Sequence, residues 1–236
     1  MLQETWVVED FDIPNYSAFL THAFLSFKGG RPSGGLGIFI ATALNVTVEC
    51  IHLENEWVVV VLLRFPDCLV LCFNCYLPPQ CSQAKSAEIW EKMESSVIYC
   101  MQIYPKALVL VGGDLNARIG PNNETLFSKF GFSPPGEDTS LTQTIRWSLD
   151  LVVNFAGFCL AQFAYKLNLN ILNGAVKGDC PGQFTFWSGN RQSTIDYFLV
   201  SQDLLPRITN LSVEARTESD HLPLNLNWIV RNHPLR

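Results

Sequence analysis

The sequence predicts an α/β fold in which two sheets are sandwiched by helices. Three observations carry that prediction. Strand-like runs outnumber helical ones. The two long helical patterns each lie between groups of strands. Hydrophobic residues make up 48% of the 236-residue chain and charged residues 16%, enough apolar side chain to bury a sizeable core and to exclude a disordered chain.

The elements follow in order. Leu36–Ala41, Val46–Leu53, Trp57–Leu63 and Leu69–Tyr76 are short, β-branched and mostly apolar, with polar or Pro breaks between them. They read as hairpin-connected strands. Ser82 is placed to cap a helix running to about Tyr104, since Trp90, Met93, Val97 and Met101 recur at three- and four-residue steps and Pro105 ends the pattern. Ala107–Val111 is a fully apolar strand that leads into Gly112-Gly113-Asp114-Leu115-Asn116. Gly120–Thr142, rich in Gly, Pro, Asn and Ser, reads as a surface loop. A second helix carries Val152, Ala156, Leu160, Phe163 and Leu167 on one stripe. Gly157 inside it costs about 1 kcal/mol of helix propensity, and Asp150 with Asn154 read as a solvated helix pair. Asn170–Leu172, Gln183–Trp187, Thr194–Val200, Leu211–Ala215 and Leu222–Trp228 read as strands. No repeat or linker interrupts the pattern, so residues 1–236 are expected to form one domain.

The longest apolar run, Trp57 to Leu63, stops at Arg64, far short of the roughly 20 residues that cross a bilayer. The N-terminus lacks a basic region followed by an apolar stretch. The expectation is an intracellular chain, nuclear or cytoplasmic, with no membrane contact. Cys72 and Cys75 form a C-x-x-C, but residues three apart on a strand point to opposite faces and cannot grip one metal. The eight cysteines read as reduced core thiols. The net charge of −6 is unusual for a nucleic-acid binder, whose footprint is normally basic, although a local groove can be basic on an acidic body.

Polar residues on otherwise apolar strands are the informative feature. Asp114 and Asn116 end the strand Ala107–Val111, two apart, so that both project on one face. Asp196 interrupts Thr194–Val200. Asp220 and His221 open the last strand, Tyr76 ends Leu69–Tyr76 before Pro78-Pro79, and Glu4 sits near the start of the chain beside Trp6. Carboxylates, an amide, a His and a Tyr at strand ends could build a hard-cation site beside a polarised water, which is what phosphodiester hydrolysis requires. Spacing alone leaves the alternative open that Asp-x-Asn is only a turn and Asp-His only a hydrogen-bonded pair.

The blocks Gln3-Glu4-Thr5-Trp6, Cys75-Tyr76-Leu77-Pro78-Pro79, Gly112-Gly113-Asp114-Leu115-Asn116-Ala117, Ser193-Thr194-Ile195-Asp196-Tyr197 and Ser219-Asp220-His221-Leu222-Pro223-Leu224 occur in that order. Together they resemble the endonuclease/exonuclease/phosphatase superfamily, closest to the endonuclease domain of non-LTR (LINE-type) retrotransposons. Gly30-Arg31-Pro32-Ser33-Gly34-Gly35 and the Leu172-Asn173-Gly174 turn are similar to that branch. The resemblance implies a four-layer α/β sandwich with the site at one end of the two sheets. By it, Glu4 is a metal carboxylate and Asp220 helps the same or a second metal position. Asp114 orients or deprotonates the attacking water, with Asn116 beside it. His221 bonds the phosphoryl oxygens, Asp196 fixes its tautomer, and Tyr76 contacts phosphate. The implied cofactor is Mg²⁺, with Mn²⁺ as an alternative, and the implied partner is DNA, nicked by a monomer to leave a 3′-hydroxyl.

The family pattern normally begins with a strand carrying an Asn near the metal, followed by a helix, whereas this sequence starts at the Gln-Glu-x-Trp block. A missing first strand and helix would leave unpaired backbone within a sheet and would weaken the site. Two alternatives to an endonuclease therefore stand: a catalytically inactive relic that binds nucleic acid or a partner, and a phosphatase of small or lipid phosphoesters.

Overall fold

The structure is a computed structural model and describes residues 1–24, 32–44, 46–79, 81–122, 145–215 and 218–231. The expected loop Gly120–Thr142 lies almost wholly outside these residues, as do Gly30 and Arg31. Its centre is a six-stranded sheet. The strands are β4 (Thr47–Ile51), β5 (Val58–Arg64), β6 (Leu69–Tyr76), β7 (Leu108–Asp114), β11 (Asp196–Ser201) and β8 (Leu169–Ile171), side by side in that order. Only β6 and β7 run parallel. A parallel neighbour requires a crossover, and helix α1 (Gln83–Ile103) supplies it. Ser82 caps α1 by accepting from the Lys85 N–H at 3.2 Å, as its position predicts.

Both faces of this sheet are covered, which explains why its strands read as continuous apolar runs. On one face, Val58, Val60, Leu62, Leu71, Phe73, Cys75, Val109 and Val111 pack against α1 and a second helix, α2 (Phe155–Lys166). Trp90 of α1 and Phe163 of α2 meet with ring centroids 5.4 Å apart. On the other face, Val59, Val61, Val70, Cys72, Tyr76, Leu110 and Val200 pack against a second layer of strands. That layer has two pieces: β1 (Leu2–Gln3), β3 (Leu36–Ala41) and β2 (Tyr16–Thr21), in the order β1-β3-β2, and β12 (Ile208–Val213) with β13 (Leu224–Trp228). A small hairpin, β9 (Phe186–Ser188) with β10 (Arg191–Ser193), stands beside the sheet. The expected α/β sandwich is therefore present. Among the described residues its two helices lie on one outer face.

Cys72 and Cys75 fall in opposite cores, as strand alternation requires. Burial pushes both thiols up to about 12, so they stay protonated. The core expectation holds for Cys68, Cys72, Cys75, Cys100 and Cys159, whereas Cys50 and Cys81 are only half-buried and Cys180 is exposed. No described helix is long and apolar enough to cross a membrane.

The reading of Asp150 and Asn154 as a solvated pair is wrong. Asp150 is 3% exposed and paired with Arg118. Asn154 caps α2, its side-chain oxygen accepting from Gly157 N–H at 2.7 Å. The helix consequently starts at Phe155, and Val152, expected on its buried stripe, is exposed. Gly157 is explained by close approach, since a Cβ there would stand 2.0 Å from the Arg118 carbonyl oxygen. Gly157→Ala is expected to lower stability by about 1–3 kcal/mol through that overlap, although alanine is intrinsically about 1 kcal/mol better in a helix. Urea denaturation measures the sign directly.

Candidate active site

Strand register assembles the site. In the parallel pair β6–β7, Tyr76 stands opposite Asp114, and in the antiparallel pair β7–β11, Asp114 stands opposite Asp196. The three side chains thus form one row across three neighbouring strands. They point to the face that also carries Leu110, Cys72 and Val200. Gly113 makes the row's geometry possible. Its φ is 147°, and a Cβ there would fall 1.8 Å from the Cys75 carbonyl oxygen on the neighbouring strand, so no other residue fits.

The remaining predicted residues arrive from outside this sheet. Glu4 follows β1 with a left-handed backbone (φ 49°), which turns its carboxylate onto Tyr76. The Tyr76 hydroxyl donates to Glu4 Oε1 at 2.5 Å, and burial first, then this bond, raise the pKa of the phenol. His221 precedes β13 and is held over the row by an isolated bridge to Phe186. The Phe186 ring meets the imidazole edge-on, with centroids 4.9 Å apart. His221 Nδ1 donates to Asp196 Oδ1 and Oδ2 at 3.0 and 3.2 Å. Nε2 faces Asp114 Oδ2 at 4.0 Å, a gap that one oxygen atom of a ligand can bridge. Asn116, also left-handed (φ 43°), donates its side-chain amide to the Leu77 carbonyl (2.8 Å) and to Asp114 Oδ2 (3.1 Å), and its N–H to Asp114 Oδ1 (3.0 Å). Its donors therefore fix Asp114. Asp220 is exposed, and its carbonyl accepts from Trp187 N–H at 2.7 Å.

The electrostatics follow from crowding. Burial, and then the Asp196 carboxylate across the strands, raise the pKa of Asp114 far above that of a free carboxyl. For His221, burial alone would lower the pKa. The hydrogen bond to Asp196 and the charges of Asp196, Asp114 and Asp220 outweigh it, and His221 is held well above an ordinary imidazole.

Sequence reasoning missed one residue in direct contact with the row. Thr185 donates its hydroxyl to Asp196 Oδ2 at 2.6 Å and accepts from the Ile195 and Asp196 N–H groups. Because both backbone groups donate to it, its one proton has only the carboxylate to go to. Asp196 is thereby oriented on both sides, by Thr185 and by His221. Thr185 stands between Phe184 and Phe186 in the expected strand Gln183–Trp187, where a threonine is an ordinary strand residue and so drew no functional reading.

Asp114, Asp196 and His221 each offer a ligand atom, and these atoms all lie within 4.8 Å of one another. Two carboxylates at such close quarters, with Glu4 joined through Tyr76, form an oxygen-rich and under-neutralised cluster. That donor set fits a hard divalent cation, which would relieve the repulsion on Asp114.

Residues 1–221 match the Endonuclease/Exonuclease/phosphatase family. Among solved structures, the endonuclease domain of TRAS1, a telomere-specific non-LTR retrotransposon, is 19% identical with a TM-score of 0.56, over 91% of this chain and 81% of that one. AP endonuclease LMAP from Leishmania major is 14% identical with a TM-score of 0.65, over 95% of this chain and 76% of that one. The 3′ phosphatase NExo from Neisseria, bound to product DNA hairpin, is 14% identical with a TM-score of 0.58, over 97% and 87%. At these identities the likeness is one of fold. No curated protein sequence matches the chain.

Proposed function

The chain belongs to the endonuclease/exonuclease/phosphatase family, and from that premise we propose that it is a divalent-metal-dependent DNA endonuclease, which nicks one strand and leaves a 3′-hydroxyl. The observation that carries this reading is the convergence of Tyr76, Asp114, Asp196 and His221, joined by register and hydrogen bonds although they span most of the sequence.

We assign the residues the following roles. Asp114, with Asn116 fixing both its oxygens, orients the attacking water and takes its proton. A carboxylate whose pKa burial and Asp196 have raised is better suited to that task than an ordinary one. His221 presents Nε2–H to a phosphoryl oxygen, where negative charge builds as the bond breaks. Asp196 and Thr185 hold its ring and its tautomer. Tyr76 contacts the phosphate while Glu4 holds its hydroxyl. Glu4 would supply the carboxylate for Mg²⁺ or Mn²⁺, with Asp220 helping at the same or a second position. The cation, when bound, neutralises charge on the phosphate. The retrotransposon endonuclease domain among the similar structures supports DNA as the substrate.

Purified protein is expected to convert supercoiled plasmid to the open circle in Mg²⁺ and to lose that activity in EDTA, with activity returning when Mg²⁺ or Mn²⁺ is restored. A primer-extension assay on the nicked product checks the 3′-hydroxyl. Binding without nicking at any metal concentration would instead identify an inactive relic, and turnover of soluble phosphoesters alone would identify a phosphatase.

A further inference from the structure

Residues 145–153 run past the site with an inverted pattern. Ile145, Trp147, Leu149 and Leu151 are 82%, 56%, 50% and 71% exposed, while Arg146, Ser148 and Asp150 are 3%, 8% and 3% exposed. An extended segment that turns its polar side chains inward is held by hydrogen bonds rather than by apolar burial. Trp147 N–H donates to the Gly174 carbonyl, Gly182 N–H to the Trp147 carbonyl and Leu149 N–H to the Gly182 carbonyl. Arg146 donates to the carbonyls of Gly120 (2.9 Å) and Asn173 (3.3 Å).

Asp150 is the densest node of this strap. Its carboxylate accepts from Arg118 Nε and Nη2 at 2.8 and 2.6 Å, from Thr194 N–H at 2.9 Å and from Val152 N–H at 3.0 Å. Arg118 is two residues beyond Asn116, and Thr194 is two residues before Asp196. Asn154 completes the grip by donating to the Asn116 carbonyl (3.0 Å) and accepting from Arg118 N–H (2.9 Å).

We propose that Asp150 is a positioning residue for the reaction, clamping the turn that carries Asn116 to the segment that enters β11 at Asp196. This rests on the nuclease reading above. Asp150 itself touches no reacting atom. It acts through Arg118 and Thr194, so that the water-orienting side of the site (Asp114, Asn116) and the histidine-orienting side (Asp196, His221) keep one spacing. A fork-to-fork arginine–carboxylate pair is suited to this because its two parallel bonds fix direction as well as distance.

The test compares Asp150→Asn, the double variant Arg118→Met/Asp150→Leu and the control Asp67→Asn. The double variant removes both charges, so it leaves no unpaired buried ion and serves if Asp150→Asn does not fold. Asp67 is the matched control: it pairs with Arg207 at 2.5 Å and is buried to a similar degree. It lies in the β5–β6 turn, the length of β6 away from Tyr76, about 23 Å at roughly 3.3 Å per residue. In plasmid nicking, the Asp150 variants are expected to lose about 10–100-fold in kcat with KM for DNA within about threefold, while Asp67→Asn loses stability and keeps kcat. Folded Asp150 variants with wild-type kcat, or a kcat loss equal in Asp67→Asn, overturn the proposal. If wild-type protein does not nick, the nuclease reading fails, and crystal structures decide the clamp. Displacement of Asn116 relative to Asp196 by about 0.5 Å or more in the variants supports it. Unmoved positions refute it.

Discussion

Asp114→Asn is expected to abolish nearly all turnover, about 10²–10⁴-fold in kcat, and at the same time to make the metal-free protein more stable. Both effects come from one placement. Asp114 is 4% exposed, faces Asp196 across the β7–β11 ladder, and sees Glu4 beyond Tyr76. Burial and then Asp196 raise its pKa from 3.8 to about 8, against which His221 offsets part. A folded-state pKa above the unfolded value means that the folded protein holds its proton longer. Stability therefore falls as pH rises from 3.8 towards about 8, and the full penalty applies above that. An asparagine has no charge to be penalised, yet it keeps an oxygen that can accept from Asn116. In EDTA near pH 8, each kcal/mol relieved should raise Tm by about 2–4 °C for a chain of this size. In Mg²⁺ the gain should shrink, because a bound cation already neutralises the aspartate in the wild type. A variant that loses both activity and stability would show that Asp114 only holds the strand ends together.

The parts of this site legible in the sequence are those where a polar residue interrupts an apolar strand. Tyr76, Asp114 and Asp196 stand out because β6, β7 and β11 are buried on both faces, so any polar side chain in them needs a partner. What the residues alone do not give is the register. That Tyr76, Asp114 and Asp196 share one row depends on strand pairings up to 82 positions apart (Asp196↔Asp114), which loop lengths leave open. Strand β2 (Tyr16–Thr21) also escaped detection. It lies at the edge of the second layer, where exposed Ser17 and half-buried Thr21 dilute the apolar signal. Asp150 is the instructive failure. Its neighbours Leu149, Leu151 and Val152 suggest an inward apolar face with Asp150 in solvent, and hydrogen bonds to Arg118 and Thr194 impose the opposite. Periodicity reports burial only where the hydrophobic effect decides which face turns in. A segment anchored by buried charge and backbone bonds gives a pattern that points the wrong way.

His221→Ala is expected to lower kcat about 10²–10³-fold, the usual cost of removing one donor aimed at developing charge, and to erase one limb of the pH profile. In the wild type, Nδ1 is tied to Asp196 and Nε2 faces the gap above Asp114, so the group useful to a phosphoryl oxygen is the protonated ring. Burial works against that charge, but the Asp196 hydrogen bond and the nearby carboxylates raise the pKa to about 9. With the protonated ring as the required form, activity should decline as pH rises through about 9. The stability linkage has the same sign. A histidine whose folded pKa is raised contributes fully below 6.5, and that contribution is lost as pH rises through about 9. Asp196→Asn supplies the internal check, because it keeps the imidazole and one acceptor oxygen but removes the charge that holds the ring's proton. Its alkaline limb should move to lower pH, while that of His221→Ala should vanish. An unshifted limb in Asp196→Asn, or an identical one in His221→Ala, would assign the titration to another group and leave His221 a packing partner of Phe186. The asymmetry between the two variants is what separates a histidine that presents a charged N–H to the phosphate from one that merely completes the fold.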